Sequence, residues 1–356
     1  MQDILVIGGG IAGLSAAARL SETAKVTVIE AETALGYHAS GRSAALIEPN
    51  YGATSVQALN RASVAFLAEG GYLSPRGLMI IAQAHERAAY EADIAVMGTS
   101  PITKAEALDF VPVLNPEKLA FAAYHEDAQD IDTDLLLQDF ARTLRGHGGT
   151  VETGCRVEAI RRDAGLWEVR ASDRVFTAPT LINAAGAWAD GIAQMAGIAP
   201  LGITPHRRSM ARIPAPGGHD VRAWPMFFGV NETWYAKPDA GCLLVSPADE
   251  DPVEPHDAWA EDMTLAQGLA LYEEMVSEPV TRLLSSWAGL RSFAPDRTLV
   301  LGRDPDAPEF IWCAGQGGYG FQTAPAASRL LADLVLGRAP EMARDTVAAL
   351  QPDRLR

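Results

Sequence analysis

Basic residues, cysteine and long apolar runs are all scarce in this sequence. Lys and Arg number 29 against 45 Asp and Glu, a formal net charge of −16. A surface of that sign repels phosphate backbones and anionic lipid, so no nucleic-acid partner is expected. The three cysteines, Cys155, Cys242 and Cys313, are odd in number and far apart. Without CxxC or Cys/His spacing they imply neither a disulfide framework nor a metal site. No apolar run approaches the ~18 to 20 residues of a membrane span. No basic stretch precedes Asp3-Ile4-Leu5-Val6-Ile7, so a signal peptide is not expected and the expected location is cytoplasmic. What remains is 356 residues, 48% hydrophobic and 21% charged, a folded chain long enough for two domains.

Ile4 to Ile7 is a short apolar run ended by glycine, as expected of a strand buried on both faces of a parallel sheet. Ile11 to Leu20 reads as a helix and Lys25 to Glu30 as a second strand, giving one βαβ unit. Asp132-Thr133 can cap a helix Asp134 to Arg145, followed by strands near Val151 to Ile160, Trp167 to Ala171 and Thr180 to Asn183. Between 204 and 260, Pro, Trp and Phe accumulate and the alternation suits antiparallel strands. A helix near Leu265 to Met275 follows, then buried strands at Thr298 to Leu301 and Phe310 to Ala314. A last helix, about Ala324 to Leu336, is closed by Gly337. The simplest architecture is α/β, α+β overall: a discontinuous doubly wound domain with a mixed-sheet domain inserted into it.

Gly8-Gly9-Gly10-Ile11-Ala12-Gly13 fits GxGxxG between a strand and a helix, the context that gives the pattern its meaning. The glycines permit a tight turn and close backbone approach to a pyrophosphate, which the helix N-terminus attracts. Glu30 ends the second strand, 17 residues beyond Gly13, where a carboxylate can accept from ribose hydroxyls. A second glycine-rich junction, Gly315 to Gly320, offers another row of donors before the last helix. An NAD dehydrogenase needs one such cradle. A flavin also needs donors where reduction places negative charge.

With Gly36 to Ala45, Asn183 to Asp190, Gly289-Leu290-Arg291 and Gly315 to Thr323 added, the chain resembles the FAD-dependent D-amino-acid oxidase superfamily, with glycine and sarcosine oxidases among its members. Within it, the strings Gly41 to Ala45, Leu73 to Arg76, Ile131 to Asp134, Arg207 to Ser209, Lys237 to Gly241 and Gln316 to Gly320 are most similar to the bacterial D-arginine dehydrogenases. The resemblance implies a Rossmann-like FAD domain of residues 1–75, 131–203 and 288–356, and a substrate domain of 76–130 and 204–287. It implies non-covalent FAD, because Gly289 stands near the position of the linking cysteine of sarcosine oxidases. It places Gly8, Gly10, Ile11, Ala12 and Gly13 at the pyrophosphate, Glu30 and Ala31 at the ribose and Val157 at the adenine. Ser40, Gly41, Arg42, Ser43, Ala44, Ala45, Ala185, Gly186, Trp188, Gly317, Gly318, Tyr319, Gly320, Phe321 and Gln322 surround the flavin. Arg291 and Tyr235 match the pair that grips the substrate carboxylate, with Arg208 in support and Tyr51 on a lid; Gln322 stands beside substrate and flavin. Arg207 reads instead as an ordinary ion-pair partner.

Two departures bear on the substrate. Leu78 stands where the D-arginine dehydrogenases hold the guanidinium with a glutamate, and Leu46 where they carry a histidine. Burying a cation against Leu78 without a counter-charge costs several kcal/mol. With Leu46, Leu78, Met226, Phe228 and Gly318 near the pocket, the expectation is oxidative deamination of neutral or apolar D-amino acids to 2-oxo acid and ammonia, by hydride transfer from Cα to flavin N5. Glu48, on the same lid, is the one nearby carboxylate that would favour a cation. Reoxidation by a quinone, another carrier or O2 stays open, with a dehydrogenase favoured over an oxidase. The alternatives are oxidation of a secondary amine or 2-hydroxy acid by the same clamp, and a flavin subunit that passes electrons within a complex.

Overall fold

The computed structural model describes residues 2–356. Its first sheet has six strands in the order Val300–Arg303, Phe310–Ala314, Thr180–Asn183, Ile4–Ile7, Val26–Ile29, Thr150–Glu152. All pair in parallel except Val300–Arg303, which runs antiparallel to its neighbour. Ile4–Ile7 is buried at every position because both faces of the sheet are covered. Ile4 and Val6 pack under the helices Ile11–Leu20, Thr133–Gly146 and Gly320–Leu336. Leu5 and Ile7 face Trp167, Val169 and the helix Ala189–Met195.

The second sheet has eight strands: Ser285–Phe293, Thr204–Ile213, Cys242–Ser246, Tyr235–Asp239, Met226–Gly229, Leu78–Ala82, Phe121–His125 and Ser100–Ile102. It is mixed, since Met226–Gly229 runs parallel to Leu78–Ala82 and its other pairings are antiparallel. The two-residue period of a strand divides its side chains. Met79, Ile81, Phe227 and Ala236 enter one core, whereas Leu78, Ile80, Phe228 and Tyr235 face the opposite way. A small sheet, Leu46–Ile47, Gln129–Ile131 and Leu73–Pro75, lies between the two larger ones in the chain path.

Several elements differ from the sequence expectation. The last helix starts at Gly320 rather than Ala324, because the Tyr319 carbonyl accepts from both the Thr323 amide at 3.0 Å and its hydroxyl at 2.8 Å. The stretch Val151 to Ile160 is two strands, Thr150–Glu152 and Val157–Asp163, broken where Gly154 takes φ +67°. The strand Ser285–Phe293 runs across the expected boundary at 287/288 and pairs with Thr204–Ile213 throughout. The helices Thr54–Glu69 and Arg87–Met97 were not anticipated. No helix of the described residues is long and apolar enough to cross a membrane.

Candidate active site

One cavity of about 690 Å3 runs from the glycine-rich turn of the six-stranded sheet to the Leu78 and Phe228 face of the eight-stranded sheet. The turn that opens it cannot carry side chains. Gly8 has φ +111°, and a Cβ there would lie 2.3 Å from the Ala184 carbonyl oxygen. At the start of the helix Ile11–Leu20, the amides of Gly10, Ala12 and Gly13 have no protein acceptor among the described residues. The Ile11 amide donates to Ser40 Oγ at 3.0 Å. These free donors at a helix N-terminus are what a pyrophosphate requires. Glu30 is buried, its two oxygens accepting from the amides of Gly9 at 2.6 Å and Glu32 at 2.8 Å. Ala31, Cys155, Arg156 and Val157 continue the wall beyond it. At the other end, the amides of Gly320, Phe321 and Gln322 begin the last helix, likewise without protein acceptors among the described residues. The residues present therefore fit a dinucleotide with a second anionic edge.

The cavity's other limb is built on the larger sheet. Arg291 projects from Ser285–Phe293 and makes no ion pair among the described residues. Burial opposes its charge, but Tyr51, Tyr235, Glu232 and Glu250 raise its pKa above the usual arginine value. The fork is thus a charged donor without a protein partner among the described residues, on the cavity wall. Gly318 lies against it, so that a Cβ there would come 3.1 Å from the guanidinium carbon and press on the fork. Tyr235 lines the same limb and is 3% exposed. Tyr51 donates to Glu232 Oε2 at 3.1 Å, and burial with that carboxylate pushes its phenol up. Gln322 accepts the Glu48 amide at 3.0 Å through Oε1, which turns its NH2 toward the cavity. Leu46, Leu78, Met210, Met226 and Phe228 form the apolar wall opposite.

Of the residues expected around the flavin, Ser40, Arg42, Ser43, Ala44, Ala45, Ala185, Gly186, Trp188, Gly317, Gly320 and Phe321 line the cavity. Gly13, Gly41 and Tyr319 do not. Gly13 is where the first helix packs on its own turn, a Cβ there meeting the Gly8 carbonyl oxygen at 2.0 Å. Gly41 passes under the Gly36 carbonyl in the same way, at 2.6 Å. Tyr319 packs behind the site against Tyr51, ring centroids 5.6 Å apart. Arg208 reaches the cavity but is engaged by Glu232 at 3.3 Å, Glu250 at 3.0 Å and the Asp249 carbonyl at 2.9 Å. Arg207 is an ion-pair partner of Asp249, Asp251 and Glu261. Glu48 lines the cavity yet is 4% exposed, with His125 Nε2 2.9 Å from its Oε2.

Sequence reasoning missed Glu232, Asn231 and Asp93, all on the cavity wall. Asn231 and Glu232 sit in consecutive left-handed conformations, φ +57° and +52°, and the Asn231 amide donates to Asp93 at 2.7 Å. Burial raises the Asp93 pKa. Lys237 was also missed. Its ammonium donates to the Ala44 and Ala45 carbonyls at 2.7 and 3.2 Å and pairs with Asp130 at 2.8 Å, which pins that stretch of backbone on the cavity wall. Cys313 is buried behind the second glycine-rich turn, its thiol pushed up to about 12 by that burial. It does not line the cavity.

Three comparisons place this geometry. The model of the DAO family, described as FAD dependent oxidoreductase, matches residues 3–334. The bifunctional protein ThiO/ThiG of Nostoc sp. (strain PCC 7120) is 25% identical over 358 residues, 94% of this chain and 53% of the relative, so the chain spans about half of that protein. A D-amino acid dehydrogenase of Cereibacter sphaeroides is 46% identical over 59 residues, 16% of this chain and 13% of the relative. Among solved structures, L-proline dehydrogenase from P. horikoshii superposes with a TM-score of 0.84 at 22% identity, over 99% of this chain and 97% of that one. That likeness extends the shared fold across both sheets.

Proposed function

This chain belongs to the DAO family of FAD-dependent oxidoreductases, and on that premise we propose that it oxidises the Cα–N bond of neutral D-amino acids, releasing a 2-oxo acid and ammonia after hydrolysis. FAD is the cofactor; held by the turn at Gly8 to Gly13 and the amides of Gly320 to Gln322, it would supply a hydride acceptor. The observation that carries the reading is Arg291, an unpaired guanidinium facing an apolar wall inside the cavity.

The division of labour follows from the sheets. The six-stranded sheet supplies the dinucleotide cradle and the eight-stranded sheet the substrate wall. Arg291 would take the carboxylate through two parallel N–H donors, which fixes both distance and plane. The Tyr235 hydroxyl adds a third donor, and Gly318 leaves space for the fork. With the carboxylate held, the substrate Cα has one orientation toward the cofactor. Gln322 presents its NH2 at the same place. Tyr51 shields the limb from water, its raised pKa keeping it a neutral donor.

Neutral side chains are favoured by the apolar wall, and two of the carboxylates near it are already engaged. Glu48 faces His125, and Glu232 is shared between Arg208 and Tyr51. Asp93 accepts from the Asn231 amide. Leu78 lies on the apolar wall with Met226 and Phe228, where burying a guanidinium or ammonium is costly. The D configuration is supported by the motif strings of the dehydrogenase group and by the 46% identical stretch. A kinetic panel with an artificial electron acceptor tests the substrate class. We expect D-Ala, D-Val, D-Leu, D-Met and D-Phe to include the highest kcat/KM, with D-Arg and D-Lys at least ~10-fold lower for the unpaired buried charge. D-Arg or D-Lys at the top of the panel would reject it.

A further inference from the structure

The segment 254–260, between the strand Cys242–Ser246 and the helix Asp262–Glu274, crosses the cavity wall at His256 and Ala258. Its neighbours are well anchored: Val253 donates to the Pro205 carbonyl at 3.0 Å and Glu261 pairs with Arg207. Residues 254–260 themselves make no backbone–backbone hydrogen bond to another segment among the described residues. Apolar support is thin, since Ala258 and Ala260 touch Ala187, Ala288, Leu290 and Trp188. Trp259 is 61% exposed.

The polar ties come from one place. Arg42 donates through Nη1 to the Ala258 carbonyl at 2.8 Å and the Ala288 carbonyl at 3.0 Å, and through Nη2 to the Asp257 carboxylate. Its Nε donates to the Tyr37 carbonyl at 3.3 Å. Tyr37 and His38 add weaker approaches to Asp257, at 3.3 and 3.8 Å. Four of the five guanidinium N–H donors are thereby used within the protein. The fork is 15% exposed while Asp257 is 57% exposed, so the carbonyl contacts are the shielded part of the tie and the ion pair the solvent-screened part. Arg42 also lies on the segment that carries Ser40, Ser43 and Ala44, on the cavity wall facing the strap.

We propose that residues 254–260 form a strap that closes the dinucleotide cavity, with Arg42 as its latch, and that opening this latch limits FAD exchange. Arg42 thus acts on the cofactor as a positioning residue, through Ala258, Ala288 and Asp257, rather than by spending its donors on the flavin. Release requires the 36–45 segment and the strap to part, and Arg42 makes the shorter contacts that join them, with Tyr37 and His38 adding longer ones to Asp257.

The test uses the FAD-loaded full chain, diluted into flavin-free buffer, with release read as the rise in free flavin fluorescence and strap mobility read as the loss of protection against limited proteolysis within 254–260, where Trp259 is exposed. Arg42→Ala is expected to release FAD at least tenfold faster and to lose protection in the strap. Asp257→Ala is expected to shift both in the same direction by about two- to fivefold, the smaller share of a screened pair. Asp220→Ala, which breaks the exposed Asp220–Arg222 pair elsewhere, should change neither. Release from Arg42→Ala within twofold of wild type would overturn the proposal. So would faster release with an unchanged strap, which would make Arg42 a direct flavin ligand. If Arg42→Ala does not fold, Asp257→Ala decides alone: unchanged release and protection overturn it.

Discussion

Arg291→Met lowers kcat/KM by ~10²-fold or more, mostly as a rise in KM, while the purified protein keeps its full flavin content. The size follows from a charge-assisted, two-pronged contact in a closed site, ~3 kcal/mol at ~1.4 kcal/mol per decade. The flavin content follows from the structure, because Arg291 forms no ion pair that holds the fold among the described residues. Removing it leaves a carboxylate in an apolar limb without its counter-charge. The pH profile carries a second sign. Because the Arg291 pKa is raised, the clamp stays protonated at every pH where the protein is folded, so no alkaline loss of kcat/KM arises from this group. Steady-state kinetics on the variant across pH settle both points. An unchanged kcat/KM would remove Arg291 from the site.

Gly8→Ala yields protein without FAD. A left-handed backbone costs a non-glycine residue about 1 to 3 kcal/mol, and Gly154→Ala, at φ +67° with nothing within 4 Å of its Cβ, isolates that cost. At Gly8 the added Cβ meets the Ala184 carbonyl oxygen at 2.3 Å. Backbone cannot rotate away as a side-chain end can, so Ile4–Ile7 and Thr180–Asn183, paired in register at Ile7 and Asn183, must separate at the pyrophosphate turn. The flavin absorbance-to-protein ratio is therefore expected near zero for Gly8→Ala and near wild type for Gly154→Ala, with a lower melting temperature for the first. Equal flavin content in the two variants would contradict the cradle.

The first cradle was readable because its constraints are local: strand, glycines, helix and Glu30 lie within thirty residues. Arg291 was readable through the resemblance and through its apolar surroundings, Trp287 to Phe293. What the sequence hid was assembled by tertiary contact. Asp93 stands on a helix whose one buried residue is Tyr90, so nothing in its spacing marks it. Glu232 enters the cavity because two consecutive residues take left-handed conformations in a turn. His125 meets Glu48 only after distant strands are laid beside each other. The helix Thr54–Glu69 did leave a signal: its buried Ser55, Val56, Leu59, Asn60, Ser63 and Leu67 fall on one helical face, but three of the six are polar and blur the apolar stripe. Gly13, Gly41 and Tyr319 show the converse limit, since a motif names residues needed for the turn and its packing along with those that line the cavity.

The anaerobic absorbance spectrum of the purified holoprotein, titrated with pooled neutral D-amino acids and separately with their L-enantiomers, tests the central claim most directly. Bleaching of the flavin band by the D pool and not by the L pool is the predicted result; bleaching by the L pool, or an intact band with both, would contradict it.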